Sequence, residues 1–192
     1  MATSSILVCV CGGIAAYKVC DVVSKLAQAR AAVTVAMTAE AQKFVGATTF
    51  QALTANAVYT ELFEPLEGRD PQHIRLAQRA DLILVAPCTG NMMAKMAAGI
   101  ADDLVSVILL ASDPKKVAIV PAMNEGMWNH PATQRNARRL FEDGVQFIGP
   151  GEGWQACRTV GVGRMSEPAE ILDWVGKKLA GSSSEPTAHF TP

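Results

Sequence analysis

The sequence has almost no net charge, because 17 lysine and arginine residues stand against 18 aspartate and glutamate residues. Proteins that bind nucleic acid or anionic membranes mainly through charge are usually basic, as a whole or over one long stretch. The charge balance therefore gives no electrostatic reason to expect either partner. Aromatic residues are also scarce at 6%, but 49% of the residues are hydrophobic, which is enough for the core of one domain.

Long apolar runs and targeting signals are missing as well. No basic segment precedes the short apolar run that begins at Ile6, so we expect neither a signal peptide nor a membrane span. The five cysteines are an odd number without a disulfide-like spacing, which favours reduced thiols and a cytoplasmic location. Cys9 and Cys11 suit packing on one face of a strand better than metal binding, and we expect no metal site.

The period of the apolar pattern changes along the first forty residues. An apolar run at residues 6–11 is followed by the glycine pair Gly12-Gly13 and by helical spacing over residues 14–30. A second β-branched run covers residues 32–37. This β-turn-α-β order predicts a doubly wound parallel sheet, a three-layer α-β-α fold of the Rossmann-like or flavodoxin-like type.

The glycine turn lacks the G-x-G-x-x-G spacing of dinucleotide-binding proteins. The second run ends at Met37-Thr38, where such proteins usually place an acid that holds a ribose diol, although Glu40 follows two residues later. Backbone N–H groups at a helix start and a hydroxyl group suit a phosphate instead. The pattern therefore favours an anion-binding turn, with a nicotinamide-dependent dehydrogenase as the alternative.

The rest of the chain continues the alternation of strands and helices. We predict strands near Val58 and at residues 81–86, 117–120 and 145–148, and helices at residues 40–53, 74–79, 93–98, 104–111, 131–143 and 168–179. Residues 149–164 contain five glycines and little periodicity, which predicts a long mobile lid. We assign residues 1–180 to one domain and residues 181–192, rich in Ser and Pro, to a disordered tail.

Polar residues follow several predicted strands, at the sheet edge where α/β proteins bind ligands. Asn124 follows the run at residues 117–120, and turn formation and ligand binding are equally good interpretations of it. His73 stands at a helix start, where a cap or a surface residue is the commoner role. The pair Asp102-Asp103 fits a helix cap better than a metal site.

Four motifs together resemble those of the flavin-containing cysteine decarboxylases. They are Gly-Gly-Ile-Ala-Ala at 12–16, Pro-Cys-Thr-Gly-Asn-Met at 87–92, Pro-Ala-Met-Asn-Glu-Gly-Met-Trp at 121–128, and Cys157 followed by Gly-Val-Gly-Arg-Met at 161–165. The stretch at 73–77 is similar to the segment that carries the family's active histidine. The resemblance covers residues 6–179. In the central loop, Cys88, Gly90 and Met92 replace the usual Ala, Ala and Thr.

The resemblance implies an enzyme that uses FMN to decarboxylate a cysteine oxidatively. Asn124 would hold the substrate carboxylate, His73 would assist the oxidation, and Cys157 would donate the last proton. Asn124, Ala156 and Met165 would contact the substrate. The residues implied to line FMN are Gly12, Gly13, Ile14, Thr38, Phe44, Thr89, Gly90, Asn91, Met92 and Met123.

Within the family, the motifs are most similar to those of the decarboxylases of coenzyme A biosynthesis, whose substrate is 4′-phosphopantothenoylcysteine. Members form homotrimers or assemblies of trimers with FMN at a subunit contact, so a homo-oligomer is expected here. Many bacteria fuse this domain to a synthetase, and we expect this chain to act without one. The alternatives are a peptidyl-cysteine decarboxylase, a flavin prenyltransferase and a regulatory flavin-binding subunit without catalysis.

Overall fold

The apolar runs of the sequence form a six-stranded parallel sheet, in a computed structural model that describes residues 4–63 and 71–181. The strands are β1 (Ser5–Val10), β2 (Ala32–Met37), β3 (Val58–Tyr59), β4 (Leu82–Cys88), β5 (Val117–Pro121), β6 (Gln146–Phe147), β7 (Gly151–Trp154) and β8 (Val160–Arg164). The helices are α1 (Ala16–Gln28), α2 (Ala47–Thr54), α3 (Gln72–Arg79), α4 (Gly90–Ala98), α5 (Leu104–Leu110), α6 (Glu125–Trp128), α7 (Pro131–Glu142) and α8 (Pro168–Leu179).

The strand order in the main sheet is β3-β2-β1-β4-β5-β6, which is the Rossmann order. The chain starts at the centre, builds outward to β3, and returns to build outward on the other side of β1. The connections after β1 and β4 therefore leave in opposite directions. A crevice opens at this switch point, beyond the carboxyl ends of the two central strands.

Helices cover both faces of the sheet, as the three-layer prediction requires. Ile6, Val8 and Val10 of β1 pack in one core with α1, α2 and α8, whereas Leu7 and Cys9 pack in a second core with α3, α4, α5 and α7. Strands buried on both faces have continuous apolar sequences without alternation. This is why the β1 and β4 runs could be recognised from the sequence.

The predicted helix over residues 40–53 is wrong in its first half. Ala41–Lys43 is a single 3-10 turn, and α2 begins only at Ala47. The break lies at Gly46, whose extended backbone (φ −69°, ψ 144°) forms the N-cap of α2. Glycine is acceptable at an N-cap and poor inside a helix, so the chain starts a new helix there.

Residues 149–164, predicted to be a long mobile lid with little periodicity, contain regular structure that the sequence did not indicate: most of the segment is an antiparallel hairpin of β7 and β8. Glycines replace the alternating apolar residues that usually reveal a hairpin, and Gly153 pairs with Gly161. Gly163 has φ +130°, and a methyl group there would overlap the Met123 carbonyl oxygen. A methyl group on Gly161 would overlap the Glu125 carboxylate. The glycines thus let the hairpin lie directly on the segment that carries Asn124.

The predicted tail beyond Gly181 lies outside the described residues.

Candidate active site

A pocket of about 820 Å³ lies at the switch point between β1 and β4. The loops after β1, β4 and β5 form its floor, and the β7–β8 hairpin forms one wall. Its volume is within the usual range for small-molecule and cofactor sites, roughly 300–1,000 Å³. The predicted site residues that line it are Gly12, Gly13, Ile14, Thr38, Thr89, Gly90, Asn91, Met92, Met123, Asn124, Ala156, Cys157 and Met165.

The turn between β1 and α1 supplies a place for an anion. The N-cap of α1 is Ala15, which makes no side-chain cap, and the first turn contains no acidic residue. The positive end of the helix dipole is therefore left for a ligand. A methyl group on Gly12 would overlap the Glu40 Cβ, so glycine is needed for this close approach of the two loops.

Hydroxyl groups at two other loops organise the floor of the pocket. Thr89 is the N-cap of α4, and its Oγ1 accepts a hydrogen bond from the Met92 backbone N at 3.2 Å. Thr38 is buried, and its Oγ1 accepts from the Ala41 backbone N at 3.2 Å. Both oxygens already accept one bond, so each hydroxyl hydrogen is available to donate to a ligand.

Asn124 lies at the carboxyl end of β5, where it both stabilises a turn and lines the pocket. It is the N-cap of α6, because its Oδ1 accepts from the Met127 backbone N at 3.2 Å. Its Nδ2 donates to the Cys157 Sγ at 3.3 Å. The two interpretations of Asn124 are therefore compatible: the oxygen stabilises the turn and the amino group points to the reactive thiol.

Cys157 is the exposed member of five free cysteines, all of which lie in the described residues. Hydrogen bonds from Thr159 and then Asn124 lower the pKa of its thiol below the ordinary value, although partial burial opposes them. Burial has the opposite effect on Cys9, Cys11 and Cys88, and it raises the pKa of Cys11 to about 12. Cys157 is thus the thiol suited to proton transfer.

Two predicted residues are not part of this pocket. Phe44 is 48% exposed beyond the 3-10 turn at Ala41–Lys43, and His73 is half-buried near the start of α3. Neither is among the residues that line the cavity. Within one chain, the geometry therefore joins Asn124 with Cys157 and leaves His73 apart from them.

Other side chains that line the pocket or contact its lining residues were not predicted. Lys18 and Arg164 both line it and both pair with Glu167, with 3.0 Å between the Lys18 Nζ and the Glu167 Oε1. This pairing, to Lys18 above all, lowers the pKa of Glu167. Gln155 and Thr159 contact Cys157. No sequence signal marks these residues as part of the site. Lys18 lies in an ordinary helical pattern, and Gln155, Thr159 and Arg164 lie in a segment without periodicity.

The acidic pair after α4 has the predicted capping role. Asp103 is the N-cap of α5 and forms a capping box with Ser106. Lys95 Nζ lies 2.6 Å from carboxylate oxygens of both Asp102 and Asp103.

Among residues 4–63 and 71–181, no cluster of three His, Cys, Asp or Glu side chains could hold a metal ion. No helix in those same ranges is long and apolar enough to cross a membrane.

Comparisons with known proteins agree with this architecture. The curated relative "Coenzyme A biosynthesis bifunctional protein CoaBC" of Bacillus subtilis (strain 168) is 48% identical over 182 residues, which is 95% of this chain and 45% of the relative. A solved cysteine-to-serine mutant of PPC decarboxylase, complexed with pantothenoylaminoethenethiol, has a TM-score of 0.83 and 28% identity, covering 93% of this chain and all of that one. The FMN binding protein AtHal3 has a TM-score of 0.82 and 27% identity, covering 95% of this chain and all of that one.

This chain therefore spans less than half the length of the curated relative that it matches. The family description "Flavoprotein" matches residues 1–180. Because that match covers nearly the whole sequence and includes every loop of the pocket, the chain belongs to the flavoprotein family.

Proposed function

We propose that this chain is an FMN-dependent decarboxylase that converts 4′-phosphopantothenoylcysteine to 4′-phosphopantetheine in coenzyme A biosynthesis. The observation that carries the proposal is the 3.3 Å contact between Asn124 Nδ2 and Cys157 Sγ in the wall of the pocket. The contact brings an amide donor, a group able to bind a carboxylate, next to a thiol, a group able to give a proton. The names of the CoaBC relative and of the solved PPC decarboxylase support this substrate.

The residues of the pocket fit FMN. The uncapped start of α1 suits its phosphate, and the apolar side chains of Ile14, Met92 and Met123 suit its ring system. Thr38, Thr89 and Asn91 add polar groups on the same floor. Bound FMN would accept electrons from the carbon that bears the substrate thiol, which creates the electron sink needed for loss of CO₂.

Asn124 orients the substrate in this proposal. Its oxygen is engaged in the cap of α6, so its orientation is fixed and its two N–H groups face outward. One donates to Cys157, and the other is free to donate to the cysteine carboxylate of the substrate. This arrangement holds the carboxylate next to the thiol that acts later.

Cys157 supplies the last proton. After CO₂ has left, the Cys157 Sγ–H bond breaks, its proton forms a C–H bond on the carbon that lost CO₂, and Cys157 becomes a thiolate. The carbon that bears the substrate sulfur would regain the hydride that it gave up to the flavin, so that the product is the saturated thiol. A thiol whose pKa lies below the ordinary value is a competent acid near neutral pH.

The five free thiols of the chain are typical of a reducing compartment, and we place the enzyme in the cytoplasm.

The proposal is tested by cofactor and product analysis of the purified protein. We expect a yellow protein that releases FMN and converts phosphopantothenoylcysteine to phosphopantetheine and CO₂, followed by mass spectrometry. A peptide that ends in cysteine serves as the competing substrate. A colourless protein that does not bind added FMN contradicts the cofactor assignment, and preferential turnover of the peptide contradicts the substrate assignment.

We also propose that the active form is a homo-oligomer, a trimer or an assembly of trimers, in which His73 from one copy completes the site of another. Within a single chain His73 does not line the pocket. Several apolar side chains at its mouth are more than half exposed, as expected of a surface that a second copy covers. They are Ile14, Tyr17, Met127 and Trp154.

A mixing experiment tests this shared site. His73→Asn and Cys157→Ser chains with different affinity tags are co-expressed, and oligomers that contain both are isolated. In a cyclic trimer that contains both variants, about one shared site in three is intact, because only one neighbouring pair combines a normal His73 with a normal Cys157. We therefore expect activity in the mixed oligomer and almost none in either parent. No recovery, with mixed oligomers shown by mass spectrometry, would contradict the shared site.

A further inference from the structure

Gln155 ties the hairpin to the loop that carries Asn124. Its side chain is buried, with 7% of the residue exposed. Its Oε1 accepts from the Glu125 backbone N at 3.1 Å, and its Nε2 donates to the carbonyl oxygens of Gly161 and Val162 at 3.3 and 3.2 Å. One amide thus connects the first residue of α6 with strand β8 of the hairpin wall.

The turn that carries Cys157 is closed tightly around Gln155. The Gln155 backbone N donates to the Thr159 carbonyl oxygen at 2.8 Å, and the Arg158 backbone N donates to the Gln155 carbonyl oxygen at 2.9 Å. Arg158 has φ +67°, a left-handed conformation that is uncommon for residues with a side chain. Such backbone persists only where the surrounding contacts enforce it, so the turn that carries Cys157 has a defined backbone conformation.

The sulfur has different partners for its two protonation states. Asn124 Nδ2 can only donate, at 3.3 Å, and Gln155 Oε1 can only accept, at 3.6 Å. Thr159 Oγ1, at 3.0 Å, can do either. A neutral thiol can therefore donate to Gln155, whereas a thiolate can accept from both Thr159 and Asn124.

Charged groups also line the pocket that Cys157 faces. They are Lys18, Glu40, Asp103 and Arg164, and the chain neighbours Glu125 and Arg158 lie on α6 and on the turn. The hydrogen bond from Thr159 is nevertheless the largest cause of the lowered thiol pKa, followed by the one from Asn124. A neutral hydroxyl therefore has the strongest influence on this thiol.

We propose that Gln155 and Thr159 are positioning residues for the proton transfer: Gln155 fixes the Cys157 turn against the Asn124 loop, and Thr159 stabilises the thiolate that the transfer leaves behind. The catalytic part of this inference rests on the proposed function. The hydrogen-bonding part does not, because the acidity of the thiol can be measured without substrate.

The acidity is tested by the pH dependence of Cys157 alkylation with iodoacetamide. All variants carry Cys20→Ser, which leaves Cys157 as the accessible thiol because Cys9, Cys11 and Cys88 are buried. Thr159→Val keeps the shape of the side chain and removes the hydroxyl, and we expect the midpoint to rise by about one pH unit, a tenfold loss of thiolate below it. Thr159→Ser keeps the hydroxyl and should restore the midpoint. An unchanged midpoint in Thr159→Val, or an equal rise in both variants, would overturn the role of Thr159.

The positioning role is tested by the ratio of two products: the oxidised, decarboxylated enethiol, and the saturated thiol that forms when this enethiol regains a hydride and receives the proton. This ratio is independent of the fraction of folded enzyme, so general destabilisation does not change it. We expect at least a tenfold rise in the enethiol share for Gln155→Leu and for Thr159→Val. Gln146→Leu is the matched control, because Gln146 lies on the outer strand β6 and its amide donates to the carbonyl oxygen of the neighbouring Gly144.

The outcomes of this second test are distinct. If Gln155→Leu does not fold, Gln155→Glu keeps the size of the side chain and the accepting oxygen and removes the donor. A product ratio equal to that of the unchanged enzyme in the folded variant would overturn the role of Gln155. If the unchanged enzyme has no turnover at all, the proposed function fails, and the alkylation midpoints still decide whether Thr159 controls the thiol.

Discussion

Asn124→Asp should abolish most turnover while FMN remains bound. Aspartate is as good an N-cap as asparagine, so the bond from the Met127 backbone N and the start of α6 should survive. The change removes the amide donor and places a negative charge against the substrate carboxylate. Loss of a hydrogen bond to a charged group costs about 1.5–3 kcal/mol, or roughly 10- to 100-fold in kcat/KM, before any repulsion is added.

Steady-state kinetics and the flavin spectrum measure this effect separately. Asn129→Asp provides the matched control, because Asn129 is exposed at the other end of α6. It introduces the same charge five residues away and should retain near-normal kcat/KM. Near-normal turnover in Asn124→Asp would show that Asn124 is only a turn residue.

The parallel sheet could be predicted because its strands are buried on both faces. Ile6, Val8 and Val10 face one core while Leu7 and Cys9 face the other, so the run is apolar at every position. Helical spacing between such runs then requires parallel strands with crossover connections. The strand order was not predictable in the same way, because Rossmann-like and flavodoxin-like sheets are built from the same β-α-β units.

The hairpin of β7 and β8 and its contacts could not be predicted from the periodicity of apolar residues. Its strands place glycine where a hairpin normally alternates apolar side chains, and the reason for those glycines is a neighbour distant in sequence. Gly163 approaches Met123, and Gly161 approaches Glu125. The sequence shows that Cys157 lies near glycines. Only the folded chain shows that the Gln155 side chain connects this turn to α6 by a hydrogen bond from the Glu125 backbone N.

For Asn124, too, the sequence predicts the position of the residue but not its partner. A polar residue after a buried strand predicts a place at the binding edge of the sheet, and the structure confirms that place. The pairing with Cys157, 33 residues later, depends on how the hairpin folds back. The resemblance to a family implied that both Asn124 and Cys157 belong to the site, whereas the pattern of the sequence alone indicated only Asn124.

Cys157→Ser should separate the two halves of the reaction. A serine hydroxyl is a far weaker acid than a thiol, whose usual pKa is about 8.5, so the final protonation should slow by about 100-fold or more. Oxidation and loss of CO₂ do not require this proton. The variant should therefore accumulate an oxidised, decarboxylated enethiol, which mass spectrometry distinguishes from the saturated thiol by two hydrogen atoms.

Two other variants show whether the block is specific. Cys20→Ser changes a half-buried cysteine of α1 and should give the ordinary product at the normal rate. His73→Asn should stop the reaction before CO₂ is released, so neither the enethiol nor the saturated thiol should form. Saturated thiol from Cys157→Ser at the unchanged rate would mean that the acid lies elsewhere and that Cys157 is only a structural part of its turn. Accumulated enethiol would instead show that the carboxylate had already left. The final reduction, which needs a returned hydride and a proton, had then stopped for lack of the proton from the sulfur that Asn124 and Thr159 hold.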